Sequence, residues 1–305
     1  MLKTISLKKD ERRQIEDCLK DIDNDPYGAG FDEFYPRVCG SADKLPFRVR
    51  EALNFFKQNP GKSGVLLIRG IPVDAPLKPT PTVPYADVSE KVVGTEKYLL
   101  LGASMVGEPI GFADWHQGER IQNLYPIPEL EAVQCASNSV YLEMHTETAF
   151  RPNTPTHLVL LCLKKDPHRR AKTVFCDLAA LIDSMSEPSR RILAAPHFCF
   201  QISSEKGAGF TEPKPIEWYR NGRRHLHYAE ALTAVDERSK EVLTDLKNGI
   251  LKNSIVLELD SGDLVLIDNH HIVHGRTAYS PRFDGTDRWL QRVLIGTQTD
   301  YTPHY

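Results

Sequence analysis

The stretch YLEMHTETAF, residues 141–150, decides how the rest of this sequence is interpreted. Its alternation is typical of a β-strand, and residues i and i+2 of a strand point to the same face. His145 and Glu147 are therefore expected to converge on one point. Such a pair is either a hydrogen-bonded imidazole and carboxylate or two of the three ligands of a metal site, and the short motif alone favours the first interpretation.

Short β-type runs dominate the second half of the chain: THLVLLCL, KTVFCDL, HFCFQI, SIVLELD, DLVLIDN and WLQRVLIGT. In the first sixty residues, apolar side chains instead recur at helical spacing, in segments 8–22 and 47–59. No GxGxxG motif follows a strand and no Walker loop is present, which disfavours nucleotide-binding folds. The pattern predicts an α+β, mainly β fold, with a closed or double-sheet core packed by N-terminal helices.

We interpret residues 1–305 as a single domain. Residues 1–103 form its mainly helical N-terminal flank, and residues 104–202 and 251–300 form the β core. Residues 203–250, rich in Gly, Pro and charge, interrupt the core as an insertion. Loops of this length are usually lids or disordered segments, and we interpret this insertion as a lid over the site.

The composition is that of an ordinary globular protein, and we expect its partner to be a small molecule. The net charge is −3 and 41% of the residues are hydrophobic. The longest apolar runs fall short of the ~20 residues that span a bilayer, and the charged first residues do not resemble a signal peptide. We therefore expect a cytoplasmic protein with no membrane partner. The sequence has no long basic tract, which argues against nucleic acid, and it leaves the oligomeric state open, a homodimer included.

The cysteines favour free thiols over disulfides or a zinc cluster. Six are present, far apart and without a CxxC motif: Cys18, Cys39, Cys135, Cys162, Cys176 and Cys199. Several lie in apolar strand-like runs, which predicts buried thiols.

The best third partner for His145 and Glu147 is His274, in DNHHIVHGRTAY. Two His and one carboxylate on one face of an octahedral ion leave three positions open, as a non-haem Fe(II) oxygenase requires. The same residues can also bind catalytic zinc, although the zinc-protease motif HExxH is absent. His270 would share a strand face with His274, and we assign it a core role.

Two arginines follow the distal histidine at informative spacing. Arg288 lies fourteen residues after His274, and Arg292 lies four residues further. Arg suits a carboxylate because it can donate two parallel hydrogen bonds. On one strand, both side chains would face the same side.

The motifs HTETAFRP, HGRTAY and DRWLQR together resemble the Fe(II)/2-oxoglutarate-dependent oxygenases of the clavaminate synthase-like, TauD-related family. The resemblance covers about residues 100–300 and is strongest to hydroxylases of free asparagine, arginine or lysine. It implies a double-stranded β-helix core, that is, a jelly roll of cupin type. It also implies Fe(II) as the cofactor and 2-oxoglutarate and O₂ as cosubstrates.

Carried onto this sequence, the resemblance implies that His145, Glu147 and His274 are the catalytic Fe(II) ligands. It implies that Arg288 pairs with the distal carboxylate of 2-oxoglutarate and that Thr173 shares this carboxylate.

The resemblance also implies contacts to the substrate. Arg292 would hold the α-carboxylate of an amino acid, Gln117 would lie near the substrate, and Glu147 would face it from the metal side. Arginine-specific relatives place paired acidic residues in the lid, whereas this chain has RRHLHYAEALTAVDE. Glu230 is the carboxylate suited to a lysine ammonium, with Asp236 next nearest. His225 or His227 could instead meet a neutral or acidic side chain.

The expected function is a dioxygenase that hydroxylates C3 or C4 of a free L-amino acid, lysine first, and releases succinate and CO₂. A Glu at position 147 argues for hydroxylation over halogenation. Within the family, the alternatives are another free or carrier-bound amino acid, such as arginine or asparagine, or desaturation. Two further classes stay open: a zinc-dependent hydrolase, and a metal-free β-barrel binding protein in which His145 and Glu147 form a structural pair.

Overall fold

The computed structural model describes residues 2–23, 25–59, 64–73, 76–86, 94–204 and 207–296. Parts of the predicted domain, including residues 297–305 and residues 205–206 of the expected lid, therefore lie outside the described residues. The described helices are α1 (Lys9–Leu19), α2 (Phe31–Cys39), α3 (Phe47–Gln58), α4 (Glu96–Ser104), α5 (Leu178–Ser184), α6 (Glu187–Leu193) and α7 (Glu237–Asn253). None of the helices in this part of the chain is both long and apolar enough to cross a membrane.

The strands are short and concentrate in the second half, as the sequence predicts. They are β1 (Leu2–Ser6), β2 (Val65–Arg69), β3 (Glu108–Ile110), β4 (Ile121–Leu124), β5 (Leu142–His145), β6 (His157–Lys164), β7 (Thr173–Asp177), β8 (Phe198–Cys199), β9 (Gln201–Ser204), β10 (Gly207–Phe210), β11 (Glu217–Arg220), β12 (Arg223–Leu226), β13 (Thr233–Ala234), β14 (Ile255–Leu257), β15 (Leu264–Asp268), β16 (Ile272–Arg276) and β17 (Trp289–Gly296).

Two sheets form the centre of the fold. The larger has the order β1-β2-β15-β6-β17-β3, with β4 also paired to β17, and the smaller has the order β14-β7-β16-β5. All pairings in both sheets are antiparallel except β1 with β2. The mixed α/β architecture agrees with the fold class predicted from the sequence.

Alternation along β6 assigns the two faces of the larger sheet. Leu158 and Leu160 join a core cluster shared with the smaller sheet, to which Phe175 and Ile272 contribute. Val159 and Leu161 instead join the N-terminal helices in a separate cluster. Period-two side chains thus give a strand that is apolar on both faces, because each face is covered.

The N-terminal helices cover the outer face of the larger sheet. In α1, Ile15 and Leu19 are buried, and in α3, Val49, Leu53 and Phe56 are buried, which confirms the helical spacing seen in the sequence.

A third cluster covers the smaller sheet with helices α5 to α7. Helix α7 begins at the capping residue Asp236, whose side chain accepts a hydrogen bond from the Ser239 amide at 2.8 Å. It buries Leu243 and Leu246 in the same cluster as Val273 of β16. The segment 203–250 is therefore not all loop, because its last part is a helix packed on the core.

All six cysteines are free thiols. Only Cys162 and Cys176 are fully buried; the other four are partly exposed.

Candidate active site

The site is built where β5 pairs with β16 in the smaller sheet. His145 lies directly opposite His274, but the register then shifts, so that Arg276 lies opposite Leu142. Strand β5 therefore carries one extra residue, a β-bulge of the kind that redirects side chains near active sites. Gly275 permits this bulge, since a Cβ at this position would lie 2.6 Å from the Leu142 carbonyl oxygen. Close packing against β5 therefore explains why the residue after His274 in the HGR motif is a glycine.

Glu147 lies two residues beyond the end of β5, and long-range hydrogen bonds hold it there. The amide of Thr146 donates to the carbonyl of Tyr228 at 2.8 Å, and the amide of Glu147 donates to Oδ1 of Asn269 at 2.7 Å. The side chain of Asn269 is fully buried and also donates to the carbonyl of Pro155 at 2.9 Å. These contacts fix the turn that aims Glu147 at the two histidines.

The three predicted ligands converge as the sequence suggested. Oε2 of Glu147 lies 4.0 Å from Nε2 of His145 and 3.6 Å from Nε2 of His274. One ligand atom from each residue lies within 4.8 Å of the other two. Among the described residues, this is the one group of His, Cys, Asp and Glu side chains with that geometry.

The protonation states of this group suit a divalent metal ion. The Nδ1 atom of His145 lies 2.7 Å from the Glu143 carbonyl, so Nδ1 carries the proton and Nε2 keeps its lone pair. Burial and then His274 lower the pKa of His145 to about 4, so the ring is neutral near pH 7. Burial opposes ionisation of Glu147, yet Arg292 and both imidazoles hold the pKa of its carboxyl well below the usual range. Two imidazoles, of which His145 is neutral near pH 7, and one carboxylate form a donor set that fits Fe(II).

Arg292 contacts this group directly. Its Nη1 donates to Oε2 of Glu147 at 2.9 Å, while Nε and Nη2 donate to Oε1 of Gln122 at 2.8 and 2.5 Å. The guanidinium also lies over the ring of Trp115, 5.0 Å from its centroid. These contacts use three of the five N–H groups of the arginine and leave two for a ligand.

Gln122 is a site residue that the sequence interpretation missed. Since arginine has no acceptor, the amide oxygen of Gln122 must face Arg292, and its NH₂ group is left without a hydrogen-bond partner in the described part of the chain. The side chain is 1% exposed and lines a cavity of about 1010 Å³ next to the histidines. Unpaired buried donors of this kind require an acceptor, and a carboxylate supplies one.

Gln117, by contrast, is exposed and does not line the cavity. It lies in a turn in which His116, Gln117 and Gly118 have φ values of 50°, 55° and 75°. The structure therefore does not bring Gln117 to the site. Gln122 is identified as a site residue by the structure, because it lies opposite Arg292 in the β4–β17 pairing.

Arg288 and Thr173 both line the cavity. They are 7% and 5% exposed, so both are buried. Within the described ranges, Arg288 has neither an ion pair nor a hydrogen bond. A buried guanidinium without an acidic partner is costly, and an anionic ligand would remove that cost.

Of the four lid side chains named as candidates, Glu230 reaches the cavity. Its Oε2 accepts a hydrogen bond from the Met144 amide at 3.3 Å. Glu143 lines the same wall, where burial and then the charge of Glu230 raise the pKa of its carboxyl.

The other lid candidates lie elsewhere. His225 is stacked on Trp218 with ring centroids 4.5 Å apart and lies 4.3 Å from the ring of His270. Neither His225 nor His227 lines the cavity, and Asp236 is occupied in capping α7. His270 thus packs against the hairpin β11–β12 and away from the three ligands.

Comparison with known proteins identifies the family to which the chain belongs. The taurine catabolism dioxygenase TauD, TfdA family matches residues 61–294. The sequence is 34% identical to L-asparagine oxygenase of Streptomyces coelicolor, covering 83% of this chain and 77% of that protein. It is 28% identical to clavaminate synthase 2 of Streptomyces clavuligerus, covering 84% and 81%. The crystal structure of an asparagine oxygenase in complex with Fe(II), 2S,3S-3-hydroxyasparagine and succinate superposes with a TM-score of 0.86, at 28% identity and covering 96% and 93% of the two chains.

The chain belongs to the TauD/TfdA family of dioxygenases. It is an Fe(II)- and 2-oxoglutarate-dependent oxygenase, so the predicted cofactor and cosubstrates are confirmed. The zinc hydrolase and the metal-free binding protein are therefore set aside.

Proposed function

We propose that this oxygenase hydroxylates an unactivated C–H bond, at C3 or C4, of a free L-amino acid, with release of succinate and CO₂. The observation that carries this proposal is the pair Arg292 and Gln122, whose unused N–H donors line the cavity directly beside Glu147. Such donors match an α-carboxylate. The asparagine oxygenase similar to this chain has a hydroxylated amino acid and succinate bound, which supports the same substrate class here.

We propose that the two sheets are the halves of a double-stranded β-helix and that the helical flank, the sheets and segment 203–250 act as one oxygenase domain. The apolar cluster between the sheets and the likeness to the asparagine oxygenase over 96% of the chain support this. The three ligands come from the smaller sheet and the turn after β5, so a rigid layer holds them.

In this proposal, His145, Glu147 and His274 hold Fe(II). Once bound with 2-oxoglutarate, the metal supplies the oxygen activation and oxidative decarboxylation that side chains cannot perform. Arg288 and Thr173 take the distal carboxylate of 2-oxoglutarate. Their burial keeps water from competing for that carboxylate.

Arg292 and Gln122 anchor the amino acid by its α-carboxylate, and Glu147 faces it from the metal side. Because Arg292 also donates to Glu147, the anchor lies at a fixed distance from the metal ligands. That distance selects the carbon that is hydroxylated, since reacting groups must be held close and correctly oriented. Gln117 has no part in this arrangement, because its side chain is exposed.

Lysine is the first substrate to test, because Glu143 and Glu230 share the cavity wall and an ammonium group would neutralise their mutual repulsion. Asparagine is the second candidate, supported by the 34% identity to an L-asparagine oxygenase.

The decisive experiment is succinate release from 2-oxoglutarate, screened over the proteinogenic amino acids with Fe(II) present. Mass spectrometry should find a product heavier by one oxygen atom for at least one of them. Succinate release that no free amino acid stimulates would contradict the proposed substrate class.

A further inference from the structure

Arg276, like Arg288 and Arg292, is a buried arginine on the wall of the cavity. It is 2% exposed and lies two residues after His274 at the end of β16. The β16–β7 pairing places it opposite Thr173. No acidic side chain of the described residues lies within ion-pair distance of it. The charge of Arg276 is therefore buried without a counter-charge, as is that of Arg288.

Neutral oxygen atoms hold the Arg276 side chain. Its Nη2 donates to Oδ1 of Asn138 and, at 2.8 Å, to the carbonyl of Val140. Nη1 donates to the carbonyl of Ala136 at 3.4 Å, and Nε donates to that of Thr277 at 3.3 Å. Four of the five N–H groups are thus used, so the guanidinium cannot grip a carboxylate through two hydrogen bonds.

A tyrosine ring fixes the same side chain from one face. The guanidinium lies 4.7 Å from the ring centroid of Tyr279, whose amide donates to the carbonyl of Ser139 at 2.9 Å. Segment 136–140 is thereby attached to the end of β16, and it leads directly into β5 with its ligand His145. These contacts fix the position of the Arg276 guanidinium, so the side chain is not free to move toward a ligand.

We propose that Arg276 is a positioning residue of the 2-oxoglutarate site, where it supplies a second fixed positive charge beside Arg288. The distal carboxylate of 2-oxoglutarate at Arg288 would also be attracted by the buried charge of Arg276, because charges among buried side chains interact over several ångströms. This inference rests on the proposed binding of 2-oxoglutarate at Arg288 and Thr173. Arg276 contributes the charge, and Arg288 contributes the direct contact.

The test separates the charge of Arg276 from its role in holding segment 136–140. Asn138→Asp keeps the side-chain shape and the acceptor oxygen at position 138, but it places a carboxylate against Nη2 of Arg276 and so cancels the charge of the guanidinium. Arg276→Gln removes that charge altogether. Arg276→Lys keeps the charge and loses most hydrogen bonds, and Asn138→Ala removes one hydrogen bond and leaves the charge. Each Fe(II)-loaded variant is titrated with 2-oxoglutarate under nitrogen by calorimetry, and its unfolding temperature is measured.

We expect Asn138→Asp and Arg276→Gln to raise the Kd of 2-oxoglutarate about tenfold, and Arg276→Lys and Asn138→Ala to change it less than about threefold. An unchanged Kd in folded Asn138→Asp would overturn the inference, even if Arg276→Gln failed to fold. Equal weakening by Arg276→Lys and Arg276→Gln would overturn it too, because a purely structural role predicts that result.

Arg288→Leu distinguishes failure of this inference from failure of the proposed site. If that variant binds 2-oxoglutarate as the natural protein does, the placement at Arg288 is wrong and the role of Arg276 fails with it. If Arg288→Leu weakens binding and Asn138→Asp does not, the site stands and only the role of Arg276 is wrong.

Discussion

The Nη1 atom of Arg292 lies 2.9 Å from the Oε2 atom of Glu147, so the proposed substrate anchor and a proposed metal ligand share one ion pair. Both side chains are at least 95% buried. An ion pair this deep holds its geometry, because either charge alone would be costly to bury. The position of the substrate and the orientation of the ligand carboxylate are therefore linked through a single guanidinium.

Arg292→Lys should raise the KM for the amino acid at least about 30-fold, because a lysine cannot reach Gln122, Glu147 and a carboxylate together. The Kd of 2-oxoglutarate should change less than about threefold. Steady-state succinate release and anaerobic titration measure the two constants. Arg191→Lys, in an exposed pair with Glu187, is the matched control and should change neither. An unaltered KM in Arg292→Lys would remove Arg292 from the substrate site.

Fe(II) should stabilise the protein through the three ligands. A metal that binds only the folded state at a hundred times its Kd contributes about 2.7 kcal/mol, which should raise the unfolding temperature by at least about 3 °C. His145→Ala should lose this shift, whereas His168→Ala, at an exposed position, should keep it. Differential scanning fluorimetry under nitrogen, with and without Fe(II), measures both. A full shift in His145→Ala would mean that the metal binds elsewhere.

Gly275→Ala should disturb the site through the backbone alone. The new Cβ would lie 2.6 Å from the Leu142 carbonyl oxygen and 3.0 Å from the Met144 sulfur, so β5 and β16 must separate. We expect a loss of about 1–3 kcal/mol in the free energy of unfolding and weaker Fe(II) binding. Urea denaturation and metal titration check these values. Gly209→Ala, where a Cβ would meet open space, is the control and should retain metal binding; equal losses in both variants would contradict the role of the bulge.

The sequence could predict those parts of the site that depend on local spacing. His145 and Glu147 are two residues apart, and His274 is marked by the glycine that follows it, so the sequence could predict that these three side chains converge. Glu147, however, lies outside β5, and its aim depends on Asn269, which is 122 residues away in sequence. That contact cannot be seen in a strand pattern.

Gln122 was missed for the same physical reason. Its importance comes from lying opposite Arg292 across the β4–β17 pairing, 170 residues away in sequence, and strand register is decided by packing of the whole sheet. Gln117 lies only five residues earlier and has the same side chain, but it lies in a turn with positive φ values and is exposed to solvent. Of the two lid histidines offered as alternatives, His225 packs against Trp218 and His270 and does not line the cavity, and this packing cannot be seen in the sequence pattern.

Glu230→Gln should raise the KM for lysine about tenfold, because a neutral amide replaces one of two carboxylates on the cavity wall. The KM for asparagine, which has no cationic side chain, should stay within about twofold. Succinate release with each amino acid measures both constants. Glu237→Gln, at an exposed position on α7, is the control. If the natural protein turns over asparagine with a higher kcat/KM than lysine, lysine is not the preferred substrate.

Asp268 should make stability depend on pH below the neutral range. It is 3% exposed, and its Oδ2 lies 2.7 Å from Nδ1 of His271. Burial opposes its ionisation, but the interactions with His271 and His157 outweigh this effect and lower the pKa of its carboxyl. A carboxyl whose pKa is lowered on folding stabilises the folded state at pH values above its unfolded pKa of about 3.9. That contribution is lost as the pH falls through the folded pKa.

Asp268→Asn should therefore cost about 1–3 kcal/mol in the free energy of unfolding at pH 7 and progressively less below about pH 4. Urea denaturation of both proteins between these values measures the difference, and a gap that stays constant with pH would show that the charge of Asp268 does not stabilise the fold.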